Sequence, residues 1–282
     1  MSEGSSTRNI NKLTRLANAL PSPLLRLSWA LRHGGLFSDL ASLRAYCRLV
    51  PQTSGSSSNR ETITVHIRQL QGHPISLRPH GTDAEVIYTT FGSQFHLPPT
   101  GIIPPNDALI FDLGSNIGCT IAHFAHVFSG ATVIGVELDT ANAELARHNT
   151  VPWEERCEIL TGAIWPTDGE VEYSDAETRQ DAYRVGTITT NPAMLKSVPA
   201  LSMNTLIAKY APDRMIDYVK MDIEGAERQV LKENTEWMAH VRCIKVELHD
   251  YQKEECIADL RQLGLQTLAD TNHWTTVIGI RS

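Results

Sequence analysis

The chain has 282 residues, of which 41% are hydrophobic and 20% are charged. This balance excludes a collagen-like, coiled-coil or wholly disordered protein. The length suits one large domain, or one domain with an N-terminal extension. The net charge of −7 is uneven, because the first fifty residues carry seven basic against two acidic side chains and the remainder therefore carries −12. Such an acidic body argues against duplex nucleic acid as the main ligand.

Cysteine usage and hydropathy indicate the compartment. The five cysteines form no CxxC pair, and no Cys/His spacing resembles a zinc site. Free thiols are typical of a reducing compartment. No apolar run approaches the ~18–20 residues of a membrane span, and the N-terminus lacks the layout of a signal peptide. We therefore expect a cytoplasmic protein without stable membrane insertion.

The basic N-terminal segment is separate in composition from the rest. Residues 10–32 have apolar spacing compatible with an amphipathic helix, broken by Pro21 and Pro23. Packing as a helical cap, or as a homodimer contact, is favoured over a membrane-surface role because few large aromatic residues accompany the arginines. Residues 51–59 (PQTSGSSSN) form a low-complexity linker. We predict an extension over residues 1–59 and a main domain over residues 60–282.

The main domain begins with two short predicted strands, Glu61–Arg68 and Ile75–Arg78. Strands and helices then alternate from Ala108 onward. The predicted strands are Ala108–Leu113, Thr132–Leu138, Glu158–Thr161, Met215–Met221 and Cys243–Leu248, and the predicted helices are Ile117–Phe128, Thr140–Asn149, Glu224–Glu233 and Gln252–Leu263. Leu265–Leu268 and Trp274–Ile280 are typical of a C-terminal hairpin. This alternation predicts an α/β fold with a doubly wound, mostly parallel sheet, whose ligands lie beyond the carboxyl ends of the strands.

Two segments at predicted strand ends are typical of a nucleoside site. Residues 112–118 (DLGSNIG) join a strand to a helix, and Gly114 and Gly118 allow a sharp turn and a close ligand approach. The pattern is not GxGxxG, so the pyrophosphate cradle of a dinucleotide fold is missing. Glu137 ends the next strand, 23 residues after Gly114. This interval is close to the one at which an acidic residue binds a pair of ribose hydroxyls.

Two further strand ends carry candidate catalytic groups. Asp222 and Glu224 follow the fourth strand, and their spacing directs at least one carboxylate into the cleft. Favourable placement of acids at a helix N-terminus is the alternative for Glu224, and it explains Asp222 less well. Glu247 and His249 end the fifth strand. His249 is the histidine placed where a general base is needed, although an idle, half-buried imidazole is the alternative.

These motifs, in their order, resemble the FkbM family of S-adenosylmethionine-dependent methyltransferases. The resemblance runs from Leu77 to Ile280 and rests on DLGSNIG, VELD, the GAIW–DGEVE stretch, VKMDIEGAE and VELHD, together with the upstream segment Asp83–Tyr88 (DAEVIY). It implies a class I (Rossmann-like) methyltransferase fold with a seven-stranded sheet in the order 3-2-1-4-5-7-6. It also implies O-methylation of sugars, polyketides or other secondary metabolites.

The resemblance assigns roles to individual residues. Gly114, Ser115, Asn116 and Gly118 would lie beside the methionine part of the cofactor. Asp112 is a further cofactor-binding candidate because its position at the strand end lets it accept from an amine or hydroxyl. Glu137 would bind the ribose, Gly162 and Ala163 would adjoin the adenine, and Asp222 would face the junction of cofactor and acceptor. Leu138, next to Glu137, is a further cofactor-binding candidate. The long segment from Ser174 to Ser202 is expected to form part of the acceptor site or a lid. Glu224, Tyr183 and Arg184 are the candidate acceptor-binding residues.

The predicted reaction is therefore methyl transfer from S-adenosylmethionine to a hydroxyl of a sugar, saccharide or glycosylated metabolite. His249 is the first candidate for the base, with Asp222 or Glu247 orienting it or the acceptor. In a variant, Asp222, Glu247 and His249 hold Mg²⁺, which lowers the pKa of the hydroxyl. An NAD(P)-dependent oxidoreductase and a non-catalytic binding scaffold remain the competing interpretations.

Overall fold

The computed structural model describes residues 22–49, 62–79, 82–174, 195–270, 273 and 275–281. It divides into two compact units, Met1–His80 and Gly81–Ser282. The two short strands before residue 80 thus belong to the same compact unit as the N-terminal helices. The domain boundary near residue 60 stays a prediction. No helix in the described parts of the chain has the length and apolar character needed to cross a bilayer.

The first unit is a small α/β arrangement. Its elements are helices α1 (Ser22–His33) and α2 (Leu40–Leu49) and strands β1 (Ile63–His66) and β2 (Pro74–Leu77). The two strands form an antiparallel pair in which Val65 lies opposite Ile75. Inside the unit, Nδ1 of His33 is 3.0 Å from the Tyr46 hydroxyl. The predicted helix over residues 10–32 is confirmed for the portion in α1, and residues 10–21 lie outside the described residues.

The second unit contains the candidate site. Its helices are α3 (Asp83–Ile87), continued by a π-helical segment (Tyr88–Ser93), α4 (Cys119–Val127), α5 (Thr140–Asn149), α6 (Met203–Tyr210), α7 (Glu227–Val230) and α8 (Lys253–Gln262). Its strands are β3 (Leu109–Leu113), β4 (Thr132–Glu137), β5 (Cys157–Thr161), β6 (Ala163–Ile164), β7 (Gly169–Ser174), β8 (Leu195–Leu201), β9 (Tyr218–Met221), β10 (Cys243–Glu247), β11 (Gln266–Ala269) and β12 (Thr276–Ile280).

The central sheet has seven strands in the order β11-β12-β10-β9-β3-β4-β5. Strands β5, β4, β3, β9 and β10 run parallel, and β12 pairs antiparallel with both β10 and β11. Counted along the sheet, this is the 3-2-1-4-5-7-6 order, so the predicted doubly wound fold with a C-terminal antiparallel hairpin is confirmed. Strand order reverses beside β3, where ligands of such sheets bind.

The core explains why apolar runs predicted the strands well. All five residues of β3 and all four of β9 are buried, as expected for central parallel strands covered on both faces. The main apolar cluster joins these strands to α6, α8 and the segment around Trp237. All five cysteines are buried, and none forms a disulfide within the described residues.

Helix α7 is shorter than predicted. The amphipathic pattern indicates a helix over Glu224–Glu233, but the helix covers only Glu227–Val230. Glu224 and Gly225 have φ angles of 53° and 107°, which a right-handed helix cannot contain. The acids after β9 therefore lie on a turn, and this turn places both Asp222 and Glu224 at the cleft.

A second sheet was not predicted. Strands β6, β8 and β7 form it in that order, with β7 and β8 antiparallel. Each strand is short or partly polar, so the sequence pattern gave too few alternations to identify it. Of the segment predicted as a lid or acceptor wall, residues 175–194 lie outside the described residues, and so do the acceptor candidates Tyr183 and Arg184.

Candidate active site

A cavity opens in the second unit at the carboxyl ends of β3, β4, β9 and β10. One wall comes from the turn after β3 and from α4, and another from the ends of β4 and β6. A third wall follows β9 and β10, and the fourth is the α3 and π-helical segment together with Phe95. The four strand ends that the sequence singled out thus converge on one cavity, which is the expected position of a site in this fold.

The turn after β3 is held tightly against the neighbouring strands. The backbone N–H groups of Gly114 and Ser115 both donate to the carbonyl of Val136, at 2.9 and 3.0 Å. Gly114 has a φ of 80°, and a Cβ there would overlap the backbone carbonyl oxygen of Asp222. Position 114 therefore requires glycine, because the backbone there is left-handed and lies in close contact with the turn after β9.

Glu137 presents a buried carboxylate at the end of β4. Its Oε2 accepts from the backbone N–H of Asn116 at 2.7 Å, and its Oε1 accepts from that of Asp139 at 2.9 Å. Burial raises the pKa of Glu137 to about 7, against the opposing effect of these two hydrogen bonds. The carboxylate thus couples the turn after β3 to the turn after β4, at the edge of the cavity.

Lys220 is a buried cation in the floor of the cavity. Its Nζ lies 3.2 Å from Oδ1 of Asp112 and 3.2 Å from Oδ2 of Asp222, and it donates to the carbonyl of Gly114 at 2.8 Å. Burial by itself would lower the pKa of Lys220, but the two carboxylates outweigh this effect and raise it. Thr120 also donates to Asp112. Lys220 therefore holds the ends of β3 and β9 in fixed relation.

His249 is bound to an array of carboxylates. Its Nδ1 is 2.9 Å from Oε1 of the buried Glu227, and its Nε2 is 3.8 Å from Oδ1 of Asp222 and 3.6 Å from Oε2 of Glu224. The Glu227 carboxylate also accepts from the backbone N–H groups of Ile223 and Gly225. Glu227 therefore orders the turn that carries Asp222 and Glu224, and it orients the imidazole.

Three side chains in this array could converge on a cation. Single ligand atoms of Asp222, Glu224 and His249 lie within 4.8 Å of one another, whereas the sequence predicted Glu247 in place of Glu224. Mg²⁺ prefers an octahedral shell of oxygen ligands, and this group offers two carboxylates and one imidazole. The donor set does not fit Mg²⁺ well, so we identify none of these residues as a metal ligand.

Most of the predicted site residues line the cavity. They are Gly114, Ser115, Asn116, Glu137, Leu138, Gly162, Ala163, Asp222, Glu224, Glu247 and His249. Asp112 and Gly118 do not. Asp112 is fully buried behind the lining, where it binds Lys220 and Thr120, and Gly118 packs against Ala146 of α5. The structure therefore gives both residues supporting positions, and direct cofactor contact by either stays a prediction.

Sequence reasoning missed three parts of the site. Val86, Thr89, Thr90, Ser93 and Phe95 form one wall, although their segment starts within the resembling stretch Asp83–Tyr88. A π-helical segment leaves no distinct periodicity in a sequence, but such segments are frequent at functional sites. Lys220 and Glu227 lie within the VKMDIEGAE motif, but the motif alone assigns neither of them a contact in the site. A lysine inside an otherwise apolar strand was the available signal for Lys220, because such a residue is buried only when it is paired.

The strand order and the position of the cavity define a class I methyltransferase fold. Residues 112–274, more than half of the chain, match the family described as the methyltransferase FkbM domain, and the chain belongs to that family. No curated protein sequence matches the chain.

Three solved structures illustrate the likeness of the fold. The fibrillarin pre-rRNA processing protein of Methanococcus jannaschii is 12% identical, with 82% of this chain and 86% of that chain covered and a TM-score of 0.42. Mitomycin 7-O-methyltransferase is 15% identical, with coverages of 71% and 55% and a TM-score of 0.39. The protein Sp1610 of Streptococcus pneumoniae, in complex with S-adenosyl-L-methionine, is 12% identical, with coverages of 62% and 67% and a TM-score of 0.38. Likeness at this level is too low to carry an argument about substrate.

Proposed function

We propose that the protein transfers the methyl group of S-adenosylmethionine to a hydroxyl of a sugar, saccharide or glycosylated metabolite. The observation that carries the proposal is the position of Glu137. Its buried carboxylate lines the same cavity as Asp222, Glu247 and His249. One carboxylate can accept from both ribose hydroxyls of the donor, and the donor supplies a methyl group on a sulfonium when it is bound.

The residues around Glu137 support a nucleoside at this end of the cavity. Leu138 and Ile164 supply apolar surface, and Gly162 and Ala163 leave room beside them. This combination suits a flat purine, because small-molecule sites are mostly apolar with a few placed polar groups. We assign the adenine to this wall, the ribose to Glu137, and the methionine part to the turn from Gly114 to Asn116.

The opposite end of the cavity supports a neutral acceptor. Three carboxylates line this end, those of Asp222, Glu224 and Glu247, and the buried Glu227 carboxylate lies behind His249. The two cationic side chains beside them are Lys220 and His249. An anionic acceptor would meet like charge in a partly buried site, which costs binding free energy. A hydroxyl-rich neutral compound meets acceptors for its hydroxyl protons instead. This is the support for a saccharide, together with the resemblance of the motifs.

Calorimetry with S-adenosylmethionine, S-adenosylhomocysteine and NAD(H) tests the choice of donor. We expect micromolar or tighter binding of the two sulfur nucleosides and none of NAD(H). A radiolabelled methyl donor, offered with a panel of methyl glycosides, then tests the acceptor class. Binding of NAD without the sulfur nucleosides would favour the oxidoreductase, and binding without transfer to any acceptor would favour the non-catalytic scaffold.

Two further assignments can be tested with the same preparation. Metal-assisted transfer is the competing route to hydroxyl activation, and full activity after EDTA treatment would exclude it. The basic extension over residues 1–59 is proposed as a cap or a homodimer contact. Deleting residues 1–58 and determining the number of chains per particle by light scattering, together with turnover, distinguishes these two roles, because only the homodimer contact predicts a change from two chains to one.

A further inference from the structure

Seven ionisable side chains lie around the place where the acceptor hydroxyl would approach. Lys220, Asp222, Glu224, Glu247, His249 and His273 line the cavity, and Glu227 lies directly behind His249. Nδ1 of His273 is 2.7 Å from the hydroxyl of Thr275. The proton that the acceptor releases on methylation must go to a group with a free lone pair facing the cavity. The contacts of each group decide which one is available.

His249 is poorly suited to take that proton. A carboxylate lies within 4 Å of each of its ring nitrogens, and the Nδ1 contact with Glu227 is a hydrogen bond of 2.9 Å. Burial opposes the charged form, but the hydrogen bond to Glu227 and the charges of Asp222 and Glu224 outweigh it and raise the pKa of His249 to about 9. At neutral pH the ring is an imidazolium, which can donate two hydrogen bonds and accept none.

The neighbouring carboxylates are also engaged. Asp222 is paired with Nζ of Lys220 at 3.2 Å, and Glu227 accepts two backbone N–H groups in addition to its contact with His249. Glu224 is 3.6 Å from Nε2 of His249. Each of these carboxylates already faces a cation or hydrogen-bond donors, which occupy its lone pairs.

Glu247 differs from the other carboxylates. Its backbone pairs with Thr276 of β12, but within the described residues its carboxylate makes no hydrogen bond and no ion pair, although it lines the cavity. The preceding Val246 pairs with Met221 of β9, so Glu247 lies next to Asp222 at the edge of the sheet. Burial and repulsion from Asp222 raise the pKa of Glu247 to about 7, against the opposing charges of His249 and Lys220.

We infer that Glu247 accepts the proton of the acceptor hydroxyl, while His249 is a fixed cation that positions Asp222 and Glu224 around the reacting oxygen. The inference rests on the proposed function. As the acceptor oxygen bonds to the methyl carbon, the carbon–sulfur bond breaks with its electron pair left on sulfur. The hydroxyl proton passes to Oε of Glu247 and from there to solvent. This reverses the order predicted from sequence, in which His249 was the base.

Carbon-13 NMR on the full-length protein saturated with S-adenosylhomocysteine tests the charge states without an acceptor. Labels at histidine Cε1 and glutamate Cδ are followed from pH 5 to 10, and His249→Gln and Glu247→Gln identify the two signals by their loss. We expect His249 to titrate near pH 9 and Glu247 near pH 7. Titration of His249 below pH 7, or of Glu247 near 4.5, would overturn the assignment. So would a shift of the His249 signal on adding MgCl₂, MnCl₂ or ZnCl₂, because a bound metal would replace the proton.

Kinetics with a methyl glycoside that the wild-type protein methylates provide the second test. Glu247→Gln should lower kcat by about 10²–10⁴-fold and remove the acidic limb of the kcat profile, while the KM for the donor stays unchanged. His249→Gln should retain that limb. The reverse pattern would make His249 the base. A wild-type protein that binds no S-adenosylhomocysteine refutes the proposed function itself, and one that binds it but methylates no glycoside refutes only the acceptor class.

Discussion

The close approach of Gly114 to Asp222 gives a quantitative prediction for Gly114→Ala. Alanine pays about 1–2 kcal/mol for the left-handed conformation that Gly114 adopts at a φ of 80°. Its Cβ would also overlap the carbonyl oxygen of Asp222, a backbone atom that cannot rotate away. Overpacking of this kind costs about 1–3 kcal/mol more. We therefore expect the free energy of unfolding to fall by about 2–5 kcal/mol, and donor affinity to fall with it, because the turns after β3 and β9 must separate.

Gly101→Ala is the matched control for this variant. Gly101 has a φ of 93°, and no atom lies within 4 Å of the position that its Cβ would occupy. It shares the conformational cost and lacks the overlap, so we expect a loss of about 1–2 kcal/mol and unchanged affinity for S-adenosylhomocysteine. Urea denaturation followed by circular dichroism measures both variants, and calorimetry measures binding. Equal losses of stability in the two variants, with donor binding intact in Gly114→Ala, would refute the reasoning.

Three other predictions follow from buried charges. An ionised Glu137 is needed to accept from both ribose hydroxyls, and burial raises its pKa to about 7. The Kd for S-adenosylhomocysteine should therefore increase up to tenfold per pH unit below pH 7 and level off above pH 8. A calorimetric Kd that does not change with pH would contradict this. Glu227→Gln should destabilise the protein by about 2–4 kcal/mol at pH 7. The folded-state pKa of His249 is raised, so its pairing with Glu227 stabilises the protein fully below pH 6.5, and this stabilisation is lost as pH increases through 9. Urea denaturation at pH 10 should therefore show a smaller destabilisation by Glu227→Gln than at pH 7. A destabilisation independent of pH would argue against a charged His249. Lys220→Met leaves the carboxylates of Asp112 and Asp222 without their cation. The free energy of unfolding, measured by the same urea denaturation, should fall by about 3–5 kcal/mol. A decrease below about 1 kcal/mol would contradict the buried pairing.

The fold was largely predictable because its signals are local. Central strands such as β3 and β9 are buried on both faces, so they are continuous apolar runs that pattern analysis detects. Helix α5 was predicted over Thr140–Asn149 and lies over the same residues, since Asp139 caps it by accepting from the backbone N–H of Asn142. The sheet of β6, β7 and β8 was missed because its pairing joins residues more than twenty positions apart.

The site was predictable in position and less so in chemistry. Strand ends located Glu137, Asp222, Glu247 and His249 in one cavity, since parallel strands bring their carboxyl ends to the same edge. The protonation of His249 was not predictable, because it depends on how Glu227 folds back after the turn. A sequence shows which ionisable groups are present, whereas only the three-dimensional structure shows which of them are paired.

Calorimetry with S-adenosylhomocysteine, for the wild-type protein and Glu137→Gln, tests the central claim most directly. We predict one nucleoside bound per chain by the wild-type protein and a Kd about 10–100-fold higher for the variant, which loses a charge-assisted pair of hydrogen bonds. Unfolding curves of the two proteins control for folding. No binding by the wild-type protein, or an unchanged Kd in a folded Glu137→Gln variant, would contradict a methyl-donor site at the end of β4.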